Sequence, residues 1–70
     1  MNGDYVIVGD TERYEDCLVR VCFTLENAIK ILDRMLNSPT DNDKKLMRGH
    51  SNLRMAEVPA KDCWWRENCD

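Results

Sequence analysis

A single amphipathic pattern between Thr24 and Pro39 constrains the fold of this chain more than any other feature. Apolar residues recur there at helical spacing, with charged residues between them. Thr24 is a good N-cap, and Pro39 disfavours helical geometry at Ser38, so we expect a helix that ends near Asn37. The predicted buried stripe is Leu25, Ala28, Ile29, Leu32, Met35 and Leu36. The predicted polar side is Glu26, Lys30, Asp33, Arg34 and Asn37.

Two short runs before this helix predict strands. Residues 5–8 form a β-branched run bounded by Gly and Asp, which is typical of a buried strand. Residues 9–16 read as a hairpin loop, and residues 17–23 as a second strand. We expect the face that excludes Arg20 to be the core face, because an unpaired guanidinium is costly to bury. The predicted core face is Cys17, Val19, Val21 and Phe23, and the opposite face is Leu18, Arg20 and Cys22.

The segment after Pro39 predicts a short second helix. Thr40 can cap it, Asp41 and Asp43 suit its positive end, Arg48 suits its negative end, and Gly49 can close it in a left-handed turn. We expect this helix to dock weakly, because its apolar residues are only Leu46 and Met47.

Residues 52–58 predict a third strand, which Pro59 ends. Leu53 and Met55 would lie on one face, and Ala56 and Val58 on the other. Two readings of residues 60–70 remain open. The segment could be a fourth strand with Cys63 and Trp65 facing inward, or a helical turn started by Pro59, in which Asp62 pairs with Arg66.

This order of elements predicts one α+β domain over residues 1–70, with strand, strand, helix, short helix and strand in sequence. One main helix would pack on a small antiparallel sheet of three or four strands. A chain of 70 residues buries only about 60% of its unfolded surface, so we expect marginal stability.

Charge and the N-terminal sequence limit the partners and the compartment. The net charge is −3, and no basic run is longer than Lys44-Lys45, which argues against direct binding to nucleic acid and fits a partner with a basic surface. The first ten residues lack the features of a signal peptide, and no apolar run approaches the roughly 20 residues that span a bilayer. We therefore expect a cytoplasmic protein with no membrane partner and with reduced thiols.

The four cysteines are Cys17, Cys22, Cys63 and Cys69. Cys17 and Cys22 lie an odd number of residues apart in one predicted strand, so their side chains point to opposite faces and disfavour a shared zinc ion. A disulfide from Cys17 or Cys22 to Cys63 or Cys69 remains open. We expect reduced cysteines that pack as small core residues, with no metal or other cofactor.

No catalytic constellation is evident. His50 is the only histidine and follows Gly49 in a predicted loop, where a capping or solvent-facing role is typical. The sequence contains no nucleophile elbow, P-loop, zinc-protease or dinucleotide motif. We therefore expect a protein that is not an enzyme.

The acidic loop GDTERYED is a candidate binding surface. Its carboxylates are Asp10, Glu12, Glu15 and Asp16, and they lack the spacing of a calcium loop. A solvated hairpin tip is one interpretation. The other is a contact surface for a basic protein, with the carboxylates occupying a site meant for phosphates.

The adjacent Trp64 and Trp65 are the other candidate binding residues. Neighbouring side chains point to opposite sides of a strand or diverge by about 100° on a helix, so we expect one ring to pack and the other to be exposed. Tryptophan is enriched among the residues that dominate binding energy. The alternative is that both rings cap the ends of a small core.

In size and layout, with CLVRVCFTLENAIKILDRML as its strand-then-helix segment, the chain resembles small accessory proteins of bacteriophages and mobile elements, including some anti-CRISPR inhibitors. The resemblance implies an inhibitor or adaptor that binds a larger bacterial protein. Because it matches no motif, it assigns no functional residue in this chain. One alternative is a homodimer through Leu18, Cys22, Ala56 and Val58, which could sequester a small ligand. The other is a cysteine-based zinc or redox module.

Overall fold

The computed structural model describes residues 3–65. Over this range a three-stranded antiparallel sheet is covered by two helices on one face and by the chain after the last strand on the other. The elements are β1 (Asp4–Asp10), β2 (Cys17–Cys22), α1 (Leu25–Asn37), α2 (Asp41–Met47), β3 (Ser51–Val58) and a 3-10 turn (Ala60–Asp62). The predicted α+β class and the predicted order of elements are confirmed.

The sheet is built around β1, which pairs with β2 on one side and β3 on the other. Its apolar run is buried on both faces, with Val6, Ile7 and Val8 all at most 5% exposed. Gly3 enters this strand against β3, where a Cβ atom would lie 1.6 Å from the carbonyl oxygen of Val58. A side chain at that position would force the two strands apart, so the start of β1 requires glycine.

A β-bulge in β2 makes the predicted core face of that strand wrong. Arg20 opposes Ile7 and Leu18 opposes Val8, so Val19 is the extra residue of the bulge. Strict alternation is lost at this point, and Val19 and Cys22 both pack against the helices. Val21 instead packs on the opposite face of the sheet. Three further predictions fail with it: Cys17 is only half-buried, Phe23 is 52% exposed, and Arg20 shares the helix side with Ile7.

The helix α1 begins and ends where the sequence predicts. The Thr24 hydroxyl accepts a hydrogen bond from the amide of Asn27, and the amide of Ser38 donates to the carbonyl of Arg34. The buried face is narrower and rotated relative to the predicted stripe. Its members are Ala28 and Met35, which are buried, and Ile31 and Leu32, which are partly buried. The members of the predicted stripe that lie outside it are Leu25, Ile29 and Leu36, which are 44%, 54% and 58% exposed.

The helix α2 is held by charge as well as by apolar contact. Thr40 and Asp43 form a reciprocal capping box, and Gly49 closes the helix region with φ 79°, as predicted. Leu46 and Met47 are half-buried against the core. The prediction of weak docking overlooked Asp43, which is fully buried and is not a solvent-facing helix-start residue.

Asp43 joins three elements of the fold. Its two carboxylate oxygens accept hydrogen bonds from Arg34 of α1 at 2.7 and 2.8 Å, and Arg20 of β2 lies 3.7 Å away. The hydrogen bonds from Arg34, together with the amide of Thr40, hold the pKa of Asp43 well below its ordinary value. This pairing is the reason that Arg20 can lie on the helix side of the sheet.

The second face of the sheet is covered by the chain that follows β3. Cys63 and Trp65 are buried there against Val6 and Val8, with Val21, Ala56 and Val58 around them. Pro59 ends β3 as predicted, and the helical reading of the tail holds for Ala60–Asp62, while residues 59–65 add no fourth strand. Arg66 and Cys69, and with them the predicted Asp62–Arg66 pair, lie outside the described residues. Within residues 3–65, no helix has the length and apolarity required to cross a membrane.

We expect Asp43→Asn to destabilise the fold at pH 7, lowering Tm by about 10 °C, because it leaves Arg34 and Arg20 without their shared charge. The depressed pKa of Asp43 adds stability above about pH 4, the ordinary carboxyl range, and this stability is lost as the pH falls further. The Asn variant should therefore lose less of its Tm than the wild type between pH 4 and pH 2. Circular dichroism melts from pH 7 to pH 2 measure both effects.

Asp41→Asn is the matched control for this prediction, because it removes an exposed carboxylate from the first turn of the same helix. Parallel melting curves for Asp43→Asn and the wild type at every pH would contradict a structural role for the buried charge.

Candidate functional site

The tail after β3 is held against the sheet at two points. The thiol of Cys63 lies within hydrogen-bonding distance of the carbonyl oxygens of Val58 and Pro59, at 3.7 and 3.4 Å. The indole Nε1 of Trp65 donates to the carboxylate of Asp4, which is itself fully buried at the start of β1. These contacts place the two tryptophans at a defined position beside the sheet.

The two tryptophans have opposite environments. Trp65 is 9% exposed and packs in the core, whereas Trp64 is 62% exposed. Their ring centroids lie 5.5 Å apart with planes inclined at 69°, an edge-to-face arrangement that aromatic quadrupoles favour. The prediction that one ring packs and the other is exposed is confirmed, and Trp64 is the exposed one.

An open groove of about 490 Å³ runs along the sheet beside these rings. Its floor is apolar and comes from β1 and β3, while β2 contributes Leu18 to the wall. The floor residues are Val6, Val8, Ala56 and Val58, and the walls are Leu18, Asp16, Trp64 and Trp65. Leu18 is 45% exposed because the bulge in β2 turns it toward this face, away from the helices. A largely apolar concavity with one carboxylate in its wall is typical of a site that binds a ligand or a partner side chain.

The carboxylate in the wall belongs to a charged cluster centred on Arg54 of β3. The guanidinium donates to Asp10 at 2.9 Å and also to Asp16, and it donates to the carbonyl of Asn52 at 2.8 Å. The amide of Asp16 donates back to Asp10 at 3.2 Å. This network folds the end of the β1–β2 loop onto the sheet and lowers the pKa of Asp10, chiefly through the hydrogen bond from Arg54.

The backbone at this cluster takes a conformation that few residues adopt. Asp16 and Asn52 have φ angles of 55° and 53°, in the left-handed region that Asp and Asn tolerate better than other non-glycine residues. The residue at the end of the loop is therefore held in place by both its backbone and its side chain. Asp16 nevertheless keeps 71% of its side chain exposed.

The structure divides the predicted acidic surface. Asp10 and Asp16 both bind Arg54, and only Asp16 lines the groove with the tryptophans. Glu12 and Glu15 are exposed on the loop and make no ion pair with any residue of the described range. The four carboxylates are thus two internal partners and two solvent-facing charges.

Sequence reasoning missed two residues of this site. The sequence predicts only that Arg54 lies within a strand, since its pairing with Asp10 and Asp16 depends on the register between β1 and β3. Leu18 lies on the predicted second apolar face, as the structure has it, but the sequence does not connect it to the tryptophans. The local sequence carries no signal of either contact.

Cys17, Cys22 and Cys63 are free thiols. Cys22 packs on the helix side of the sheet and Cys63 on the opposite side, so these two cannot pair or share an ion. Burial raises the pKa of the Cys22 thiol. Between residues 3 and 65, no three His, Cys, Asp or Glu side chains are grouped to hold a metal. The ring of His50 lies 3.2 Å from the carbonyl of Arg48.

Comparisons of this chain with protein-family models, with curated proteins and with solved structures find no match. The resemblance to small phage accessory proteins therefore stays a prediction.

We expect the two tryptophans to differ sharply in their effect on stability. Trp65→Ala should lower the free energy of unfolding by about 3 kcal/mol, because it empties a buried site and removes a donor to Asp4. Trp64→Ala should lower it by less than about 1 kcal/mol, as is usual for exposed positions. Urea denaturation followed by far-ultraviolet circular dichroism measures both values without relying on indole fluorescence.

Trp65→Phe separates the two contributions of Trp65, since it keeps most of the buried ring but not the hydrogen bond to Asp4. Equal losses for Trp64→Ala and Trp65→Ala would contradict the placement of the tail.

Proposed function

We propose that this domain is a binding protein and not an enzyme, a small inhibitor or adaptor that docks on a basic surface of a larger bacterial protein. The observation that carries the proposal is Trp64, 62% exposed at the wall of an apolar groove and in edge contact with the buried Trp65. Trp64 and the groove form the docking surface of this proposal.

Exposure and rigidity together support this assignment. A large exposed ring beside an apolar groove is apolar surface that a partner can cover, and burial of this surface would favour binding. Because the flanking Cys63 and Trp65 are buried and hydrogen-bonded, the backbone that carries Trp64 is already ordered before a partner arrives. Pre-ordered aromatic residues of this kind lose little conformational entropy on binding and often dominate the binding energy.

The charge distribution supports a basic partner. The chain carries a net charge of −3, and Glu12 and Glu15 extend from the loop whose last residue, Asp16, lines the groove. Such a field speeds encounter with a basic surface and opposes direct contact with nucleic-acid phosphates. The partner that we propose is therefore a cytoplasmic protein. The proposed function involves no cofactor, no membrane and no nucleic acid.

A homodimer is the second candidate, favoured by the exposed side of α1. Leu25, Ile29 and Leu36 lie on one side of α1 and are between 44% and 58% exposed. The prediction that Leu18, Cys22, Ala56 and Val58 form one dimer surface is wrong, because they do not share a face of the sheet. Cys22 faces the helices, and the tail covers part of the opposite face. Self-association would therefore use α1, which leaves the groove open.

Trp64→Ala should weaken partner binding by about 30-fold or more, the usual loss for a dominant aromatic contact. Ile29→Ala, which truncates an exposed apolar residue on α1, should bind as the wild type does. The three proteins are immobilised, and proteins retained from bacterial lysate are identified and then titrated individually. A partner that binds Trp64→Ala with unchanged affinity, while the variant keeps its circular dichroism spectrum, would contradict the proposal.

If α1 mediates a dimer, the average mass should rise with concentration toward twice that of the monomer. Leu36→Glu should abolish the rise, because it places a charge in the apolar contact, and Trp64→Ala should not. Sedimentation equilibrium from about 10 to 500 µM measures this, and a constant monomer mass would exclude the dimer.

A further inference from the structure

We infer that the groove receives a single basic side chain of the partner, arginine or lysine. Its aliphatic stem would lie on the apolar floor, and its charged head would lie between the ring of Trp64 and the carboxylate of Asp16. This inference rests on the proposed function and names the chemistry that the same site recognises.

The aromatic part of the site suits a cation. Trp64 and Trp65 both line the groove, and their planes meet at 69° with centroids 5.5 Å apart, so they form a corner and not a parallel stack. Tryptophan has the strongest attraction for a cation placed over its ring. Trp64, at 62% exposed, is the ring of the pair that a partner can reach, while Trp65, at 9% exposed, sets its orientation. The hydrogen bond from Trp65 to Asp4 keeps this corner in place.

The charged part of the site supplies an acceptor. One oxygen of Asp16 binds Arg54, and the other oxygen accepts no hydrogen bond from residues 3–65. Two carboxylates, Asp10 and Asp16, share the one guanidinium of Arg54, so the cluster keeps one negative charge in excess. A second guanidinium or ammonium group at Asp16 would neutralise it through a charge-assisted hydrogen bond.

The apolar floor and the carboxylate of Asp16 together favour a basic side chain over a wholly apolar one. Val8 and Ala56 of the floor, with Leu18 of the wall, offer an apolar surface suited to the methylene stem of lysine or arginine, whose charged end then reaches Asp16. A purely apolar occupant would cover the same floor but would take water from Asp16 without replacing its hydrogen bonds, which is unfavourable. The combination of floor and wall therefore selects a long side chain with a positive end.

The experiment uses seven-residue peptides that differ at one central position, set in an otherwise Gly-Ser sequence. The central residue is arginine, lysine, citrulline or norleucine, so citrulline keeps the shape of arginine without its charge and norleucine keeps only the stem. Nuclear magnetic resonance titrations of the ¹⁵N-labelled protein follow the indole N–H of Trp64, assigned with Trp64→Phe. We expect the arginine or lysine peptide to bind at least ten-fold more tightly than the two neutral peptides.

Two variants test the role of the carboxylate. Asp16→Asn should reduce binding of the basic peptides to the level of citrulline, because it removes the charge and keeps an acceptor for Arg54. Asp41→Asn removes the same charge from the exposed first turn of α2, on the helix side of the sheet, and should change the affinity by less than about two-fold at 0.15 M salt, where distant exposed charges are screened.

Two outcomes overturn the inference: the norleucine or citrulline peptide binds as tightly as the basic ones, or no peptide shifts Trp64 at 10 mM. In either case the proposed function is judged separately, by whether partner retention depends on Trp64. Binding of the basic peptides together with retention that is indifferent to Trp64→Ala would instead support a site for a basic side chain in the groove and overturn the proposed function.

Discussion

The central strand β1 presents apolar side chains to both faces of the sheet, and a chain of 70 residues has to cover both. The helices cover one face, with Ile7 fully buried beneath them. Residues 59–65 cover part of the other face, where Cys63 and Trp65 are buried against Val6 and Val8. Beside them the described residues form the groove, to which all three strands contribute side chains.

Buried carboxylates secure both layers of this arrangement. Asp43 ties α2 to Arg34 and Arg20 on the helix side, and Asp4 accepts the indole hydrogen bond of Trp65 on the tail side. Each places a polar group inside a small domain, where it is costly unless it is paired. In return each pairing joins segments that are distant in sequence, and apolar contacts alone would leave those segments free to slide.

Residues close together in the sequence predict where each helix and strand begins and ends. Which side chains these elements bury depends on pairing between segments that are distant in the sequence. The bounds of α1, the capping box at Thr40 and the end of β3 at Pro59 depend on residues within a few positions of each other, so the sequence revealed them. The bulge at Val19 depends on how β2 pairs with β1, and the residues near Val19 do not predict it. The rotation of α1 follows the same rule. Its apolar residues occupy a wider face of the helix than the sheet covers, so the way α1 packs on the sheet determines which of them are buried. For the site, the sequence identified Trp64 and Asp16 separately, while their meeting in one groove required the fold.

The same dependence links the groove to the stability of the tail. Trp64 is placed by its neighbours, since the ring it contacts is fixed by Asp4 at the other end of the chain and the backbone before it is fixed by Cys63. A change at Asp4 or Cys63 would therefore move Trp64 relative to Asp16 although neither residue touches the open part of the groove. Loss of binding at such positions should be accompanied by a lower Tm, whereas loss at Trp64 or Asp16 should leave Tm nearly unchanged. This difference separates residues that contact a partner from residues that hold the contact surface in place.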